Sequence, residues 1–83
     1  MRHVVVRACP ICPVRRALAG RLEAKLQGDP DLNVERVAGG IGELSVTIDG
    51  RPAFRSRGIL TAPSFAELLQ AVVRALAAFP VER

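Results

Sequence analysis

Cys9 and Cys12 are the residues of this chain best suited to chemistry. They stand in Cys9-Pro10-Ile11-Cys12, after the β-branched run His3-Val4-Val5-Val6-Arg7 and before a helical pattern that Pro13 opens. A C-x-x-C pair lets one sulfur attack a disulfide and the other resolve the mixed disulfide that forms. A helix N-terminus adds free N–H groups and about half a positive charge. Both stabilise a thiolate and bring its pKa below the free value of about 8.5. Proline is favoured at the first helical position and pushes the residue before it out of the α region. Cys12 is therefore expected at the N-cap, and as the more acidic thiol.

Arg7, Arg15 and Arg16 flank the motif. One reading has them holding the thiolate and attracting an anionic thiol such as glutathione. The other has them as a solvated face of an Arg-rich chain, in which eleven of the twelve cations are Arg. A zinc site needs four ligands, and His3 is the only other Cys or His, so no metal is expected within one chain. A two-coordinate soft metal such as Cu(I) needs only the two thiolates and stays open. So does an inert, buried Cys pair.

The elements that must position the motif follow from periodicity. His3 to Arg7 forms a buried strand. Val14, Leu18, Leu22 and Leu26 recur every four residues and mark a helix, which Gly20 weakens by about 1 kcal/mol relative to Ala and Gly28 and Pro30 end. Leu32 to Val37 is a second strand. Gly39-Gly40 and Gly42 make a flexible joint. Glu43 to Ile48 alternates strictly between polar and apolar, as a third strand does. Asp49-Gly50 calls for a type I′ hairpin turn. Arg51 to Ser56 then returns at a sheet edge, because Pro52 has no N–H. Ser64 with Glu67 makes a capping box. The stripe Phe65, Leu68, Leu69, Val72, Val73, Leu76 and Phe79 gives a closing helix that Pro80 stops. The expected fold is α/β, with order β-α-β-β-β-α and a four-stranded mixed sheet carrying two helices. Leu44, Val46 and Ile48 should pack on Phe65, Leu69, Val72 and Leu76. A sheet face left open would favour a homodimer.

At 83 residues the chain is one domain, 1–83. Net charge is +4, but the cations are scattered and no Tyr or Trp interleaves with them for base stacking, so no nucleic-acid partner is expected. No apolar run approaches the roughly 20 residues of a membrane span. The three-residue apolar run Val4-Val5-Val6 is too short for a signal-peptide core. A cytoplasmic protein is the default. There thiols are kept reduced, so a lone Cys pair points to catalysis or metal binding rather than to a structural staple.

With these pieces placed, the chain resembles the selenoprotein W/T/H-like (Rdx) family of the thioredoxin-like superfamily from about Val4 to Ala75. The match rests on the Cys9–Cys12 motif after a Val-rich strand and on Gly42-Glu43-Leu44-Ser45-Val46-Thr47-Ile48-Asp49-Gly50. It also rests on Arg55-Ser56-Arg57-Gly58 and on a closing helix with Glu67-Leu68-Leu69. The hairpin piece is similar to the family's G-x-F-E-V-x-V-x-G, with Leu44 where Phe is usual. In selenium-containing members selenocysteine stands at the position of Cys12. Pro10 and Pro13 depart from that pattern. Cys9-Pro10-x-Cys12 and Thr61-Ala62-Pro63 look instead like glutaredoxin, but the hairpin precedes that loop here and a helix follows it at once.

The resemblance implies a thioredoxin-like thiol–disulfide oxidoreductase or redox sensor working through Cys9 and Cys12. It supplies no substrate; the motif and its arginines themselves call for no resident cofactor, a protein or low-molecular-weight disulfide as partner, and glutathione as a candidate thiol donor. The competing reading from the residues is a non-enzymatic adaptor that docks a partner protein through its helix-and-sheet surface.

Overall fold

The computed structural model describes residues 2–57 and 63–79. Six elements follow in order: β1 (Arg2–Ala8), α1 (Pro13–Leu26), β2 (Leu32–Ala38), β3 (Glu43–Ile48), β4 (Arg51–Arg57) and α2 (Phe65–Ala78). The strands form one mixed sheet in the order β2-β1-β3-β4. β1 runs parallel to β2, antiparallel to β3, and β3 antiparallel to β4. The α/β class, the element order and the edge position of β4 are those the sequence predicts.

Side chains alternate along a strand, and burial follows that period. Val4, Val6 and Ala8 of β1 and Leu44, Val46 and Ile48 of β3 are buried on one face. Both helices cover that face. Leu18, Ala19, Leu22 and Leu26 of α1 and Leu68, Val72 and Ala75 of α2 complete the core. Leu22, Leu44, Ile48 and Leu68 are fully enclosed, and each such side chain contributes roughly 1.5–3 kcal/mol.

Two details of the helices depart from the apolar stripes read in sequence. Val14 is 59% exposed. The inward positions of α1 are residues 15, 18, 19, 22 and 26, so Val14 falls about 100° off that face. In α2 the enclosed residues are Leu68, Val72 and Ala75, while Phe65, Leu69, Leu76 and Phe79 border the core and Val73 lies outside it. An apolar stripe wider than the contact it serves leaves its margin in solvent.

The connections obey local chemistry. Asp49 and Gly50 have φ of 52° and 83°, the two positive values a type I′ turn demands. Ser64 caps α2: its Oγ accepts from the Glu67 N–H at 3.1 Å and donates to the Glu67 carboxylate at 3.3 Å. At the far end of β1, Arg2 is buried. Its guanidinium donates to Asp49 at 3.3 Å and to the Leu76 carbonyl at 2.7 Å, tying hairpin, first strand and α2 together. The open face of the sheet is polar: His3 meets Glu35 at 3.2 Å and Arg7 meets Glu43 at 3.2 Å. Any dimer built on that face would bury ion pairs, not an apolar patch. The Thr61-Ala62-Pro63 loop lies outside the described residues but for Pro63, and Gly58 and Pro80 lie outside them too.

Candidate active site

The site gathers at the end of the sheet where β1 stops. β1 carries the chain to Cys9, whose N–H donates to the Glu43 carbonyl at 2.8 Å. This holds Cys9 in line with the sheet, buried beneath its surroundings. Pro10 and Ile11 turn outward, and Cys12 follows at the N-cap of α1 with φ −104° and ψ 105°. Pro13 at the first helical position enforces that extended cap. The Cys12 carbonyl then accepts the N–H of Arg16 at 3.0 Å. Both cysteines are free thiols, Cys9 enclosed and Cys12 half-buried, and the two approach within 2.9 Å.

The electrostatics fall on Cys9. The Cys12 thiol donates a hydrogen bond to its sulfur, and this is the largest influence holding Cys9 below the usual thiol range. Burial pushes the other way, and the N–H groups of Gly42, Ile11 and Cys12 add smaller lowering contributions. The acidity expected of Cys12 is thus found at Cys9. Cys12 does occupy the N-cap, but its side chain makes no capping bond. A lesser donor comes from Gly42, on a loop that local reasoning about α1 could not place beside the motif.

That loop, residues 39–42, is held by Glu43. One carboxylate oxygen accepts the Gly40 N–H at 2.8 Å; the other accepts the Ser45 hydroxyl at 2.7 Å and Arg7 Nε at 3.2 Å. These partners, led by the Gly40 N–H, keep Glu43 below the ordinary carboxylate range. Gly39 packs so closely that a Cβ there would meet the carboxylate at 3.0 Å and the Ala8 nitrogen at 3.3 Å. Gly42 carries a positive φ of 74°, the left-handed region that favours glycine. The glycines read as a flexible joint are a fitted clasp.

The three expected cations separate. Arg7 sits on the open face in its pair with Glu43. Arg15 is buried on the inward side of α1. Arg16 is exposed and lines a cleft of about 170 Å³ with Ala8, Pro10, Arg36, Val37 and Ala38. Sequence reasoning missed Arg36, Gly42 and Glu43. The glycine cluster was their one signal, since three glycines in four positions mark a close approach as well as a joint. Ile11 and Ile41 rise around the motif, 70% and 75% exposed. No group of three or more His, Cys, Asp or Glu able to hold a metal ion occurs among the described residues. No helix among them is long and apolar enough to cross a membrane.

No family model and no curated protein matches the chain. Solved structures do. The crystal structure of a Bordetella parapertussis protein, a structural-genomics target, is similar at a TM-score of 0.65 and 21% identity, over 88% of this chain and 95% of that one. A crystal structure of a designed protein is similar at 0.57 and 15% identity, over 96% of this chain and 79% of that one. At these identities the likeness is one of fold.

Proposed function

We propose that the protein is a thiol–disulfide oxidoreductase or redox sensor of Rdx type, working in the cytoplasm through Cys9 and Cys12 on a protein or low-molecular-weight disulfide. The observation that carries this reading is the sulfur pair. Two free cysteines approach within 2.9 Å at a strand-to-helix junction, their side chains hydrogen-bonded, with N–H groups from two segments directed at one of them. A structural Cys pair has no use for that arrangement.

The chemistry follows from exposure and charge. Cys12 is the sulfur a substrate can reach, and Cys9 is the sulfur on which negative charge is stabilised. In the singly ionised pair, the Cys12 proton passes to Cys9 as Cys12 attacks one sulfur of the substrate disulfide. The substrate S–S bond breaks, one thiolate leaves and takes a proton from water, and a Cys12 mixed disulfide remains. Cys9 then gives up its proton and attacks Cys12, releasing the second substrate thiol and closing a Cys9–Cys12 disulfide. The substrate gains two electrons and the protein loses them. A thiol reductant restores the pair.

Mass spectrometry after mild oxidation should show an intramolecular loss of two hydrogens, reversed by dithiol. With a small disulfide, Cys12→Ser should abolish turnover and Cys9→Ser should accumulate the mixed disulfide. A pair that forms only intermolecular dimers on oxidation sinks the reading. A second reading, a partner-docking adaptor, draws on the exposed Ile11, Val14 and Ile41 around the motif. It predicts that Cys9→Ser/Cys12→Ser leaves biological function intact.

A further inference from the structure

The cleft beside Pro10 has a construction that the sulfur chemistry alone does not explain. It opens past the carboxyl ends of the parallel strands β1 and β2, through Ala8, Val37 and Ala38. Open α/β sheets characteristically receive ligands at such ends. Apart from two guanidinium groups, Arg16 and Arg36, the side chains that line it are small and apolar. Arg16 stands four residues after Cys12 along α1, and its N–H bonds the Cys12 carbonyl. Pro10, between the two cysteines, also lines the cleft, so the cleft adjoins the motif.

Arg36 is held in place. Its Nε meets Glu23 of α1 at 3.4 Å. Its guanidinium also lies across the helix at Gly20, where a Cβ would come within 3.3 Å of Nη1. Gly in a helix interior costs roughly 1 kcal/mol relative to Ala. Here the missing side chain makes room for the arginine that closes the cleft. Guanidinium groups bind carboxylates through charge-assisted, often bidentate hydrogen bonds, and Ala8 and Ala38 leave space for one small arm rather than a folded partner.

We propose that this cleft binds a carboxylate of a small anionic disulfide or thiol, Arg16 and Arg36 fixing it while its sulfur meets Cys12. The proposal deepens the thiol–disulfide reading and rests on it for the reaction, but the cleft's occupancy can be tested without turnover.

Two measurements on the full chain decide it. In the first, the dithiol protein is titrated with S-methylglutathione, which carries carboxylates but cannot exchange sulfur. The amide signals of Ala8, Arg36 and Ala38 should move, and in Arg16→Gln/Arg36→Gln they should stay still. Unmoved signals in the unaltered protein overturn the proposal. In the second, kcat/KM is compared for glutathione disulfide and for cystamine, a disulfide with amines and no carboxylate. The double variant should lose about tenfold or more with the first, the scale of one charge-assisted contact, and nothing with cystamine. Equal loss with both probes overturns the proposal, because the arginines would then serve the fold and not the ligand. Shifted amides with no turnover on either disulfide leave the cleft standing and remove the oxidoreductase reading instead.

Discussion

β3 ends in a carboxylate at each extreme, and the two are built alike. Asp49 follows its last residue, accepts the His3 N–H at 2.9 Å and takes Arg2 Nε at 3.3 Å. Glu43 opens the strand, accepts the Gly40 N–H at 2.8 Å and takes Arg7 Nε at 3.2 Å. Each is held below the ordinary carboxylate range, chiefly by the backbone N–H it receives. The arginines both come from β1 but leave it on opposite faces. Asp49 and Arg2 clamp a hairpin and the end of α2. Glu43 and Arg7 clamp a loop from which the Gly42 N–H reaches the Cys9 sulfur. One device holds a hairpin at one pole and the loop beside the cysteine pair at the other, and only what lies behind the clamp distinguishes them.

The comparison can be broken most severely at its shared centre. Val46→Ala removes a fully enclosed side chain midway between the poles and should cost about 1–3 kcal/mol. In a domain of this size each 1 kcal/mol lowers Tm by about 4–8 °C. Calorimetry should show one cooperative transition well below that of the unaltered chain; a small shift would mean that the centre repacks and the poles are independent.

Substitutions at the poles should then separate. Asp49→Ala should lower Tm by several degrees and leave the thiol titration unmoved. Glu43→Gln should do the reverse: a smaller change in Tm, with the Cys9 titration displaced upward and the pair alkylated severalfold more slowly near neutral pH. The chain has no Trp or Tyr, so thiolate absorbance can be followed in the ultraviolet without interference. A Cys9 titration that moves equally in both variants would erase the distinction between clamps.

Acid should act on the two poles together. Both carboxylates titrate lower in the folded state than in the unfolded chain, so the unfolded state binds more protons as pH falls. Their stabilisation is complete above about pH 5 and is lost as pH falls through the lowered folded values. The double variant Glu43→Gln/Asp49→Ala should flatten the acid limb of stability against pH. An unchanged limb would place the acid sensitivity elsewhere.

The smallest effect belongs to Gly20→Ala, in neither clamp. Helix propensity favours Ala by about 1 kcal/mol, and the contact at 3.3 Å is with the movable end of Arg36. Tm should rise by a few degrees. A fall would show that the guanidinium cannot yield.

Most of the fold was legible because its signals are local. The alternation of Glu43 to Ile48, the Asp49-Gly50 turn, the Ser64–Glu67 cap and Pro13 at the start of α1 each act within a few residues. The Cys pair was legible for the same reason. What escaped depends on chain segments meeting across the sheet. The Gly42 N–H reaches Cys9 from 33 positions away and adds to the Cys12 hydrogen bond that holds Cys9 below the usual thiol range. Arg36 reads in sequence as a strand charge, and only its seat over Gly20 brings it beside Arg16. Arg15 and Val14 differ by one position, and which of them faced inward was decided by how α1 rolls onto β1 and β2.

The outer position of β2 carries a consequence of another kind. An edge strand offers a row of backbone groups to which a second chain can add, and proteins deter such addition with charge and proline. β4, the opposite edge, has Pro52 among its residues. β2 has exposed Asn33, Glu35 and Arg36. Arg36 is therefore one of the charges that deter strand addition at this edge as well as a wall of the cleft. Replacing it with an apolar residue would leave Leu32, Val34 and Val37 on a strand with one charge fewer to refuse a neighbour, so solubility and not only ligand affinity constrains that position.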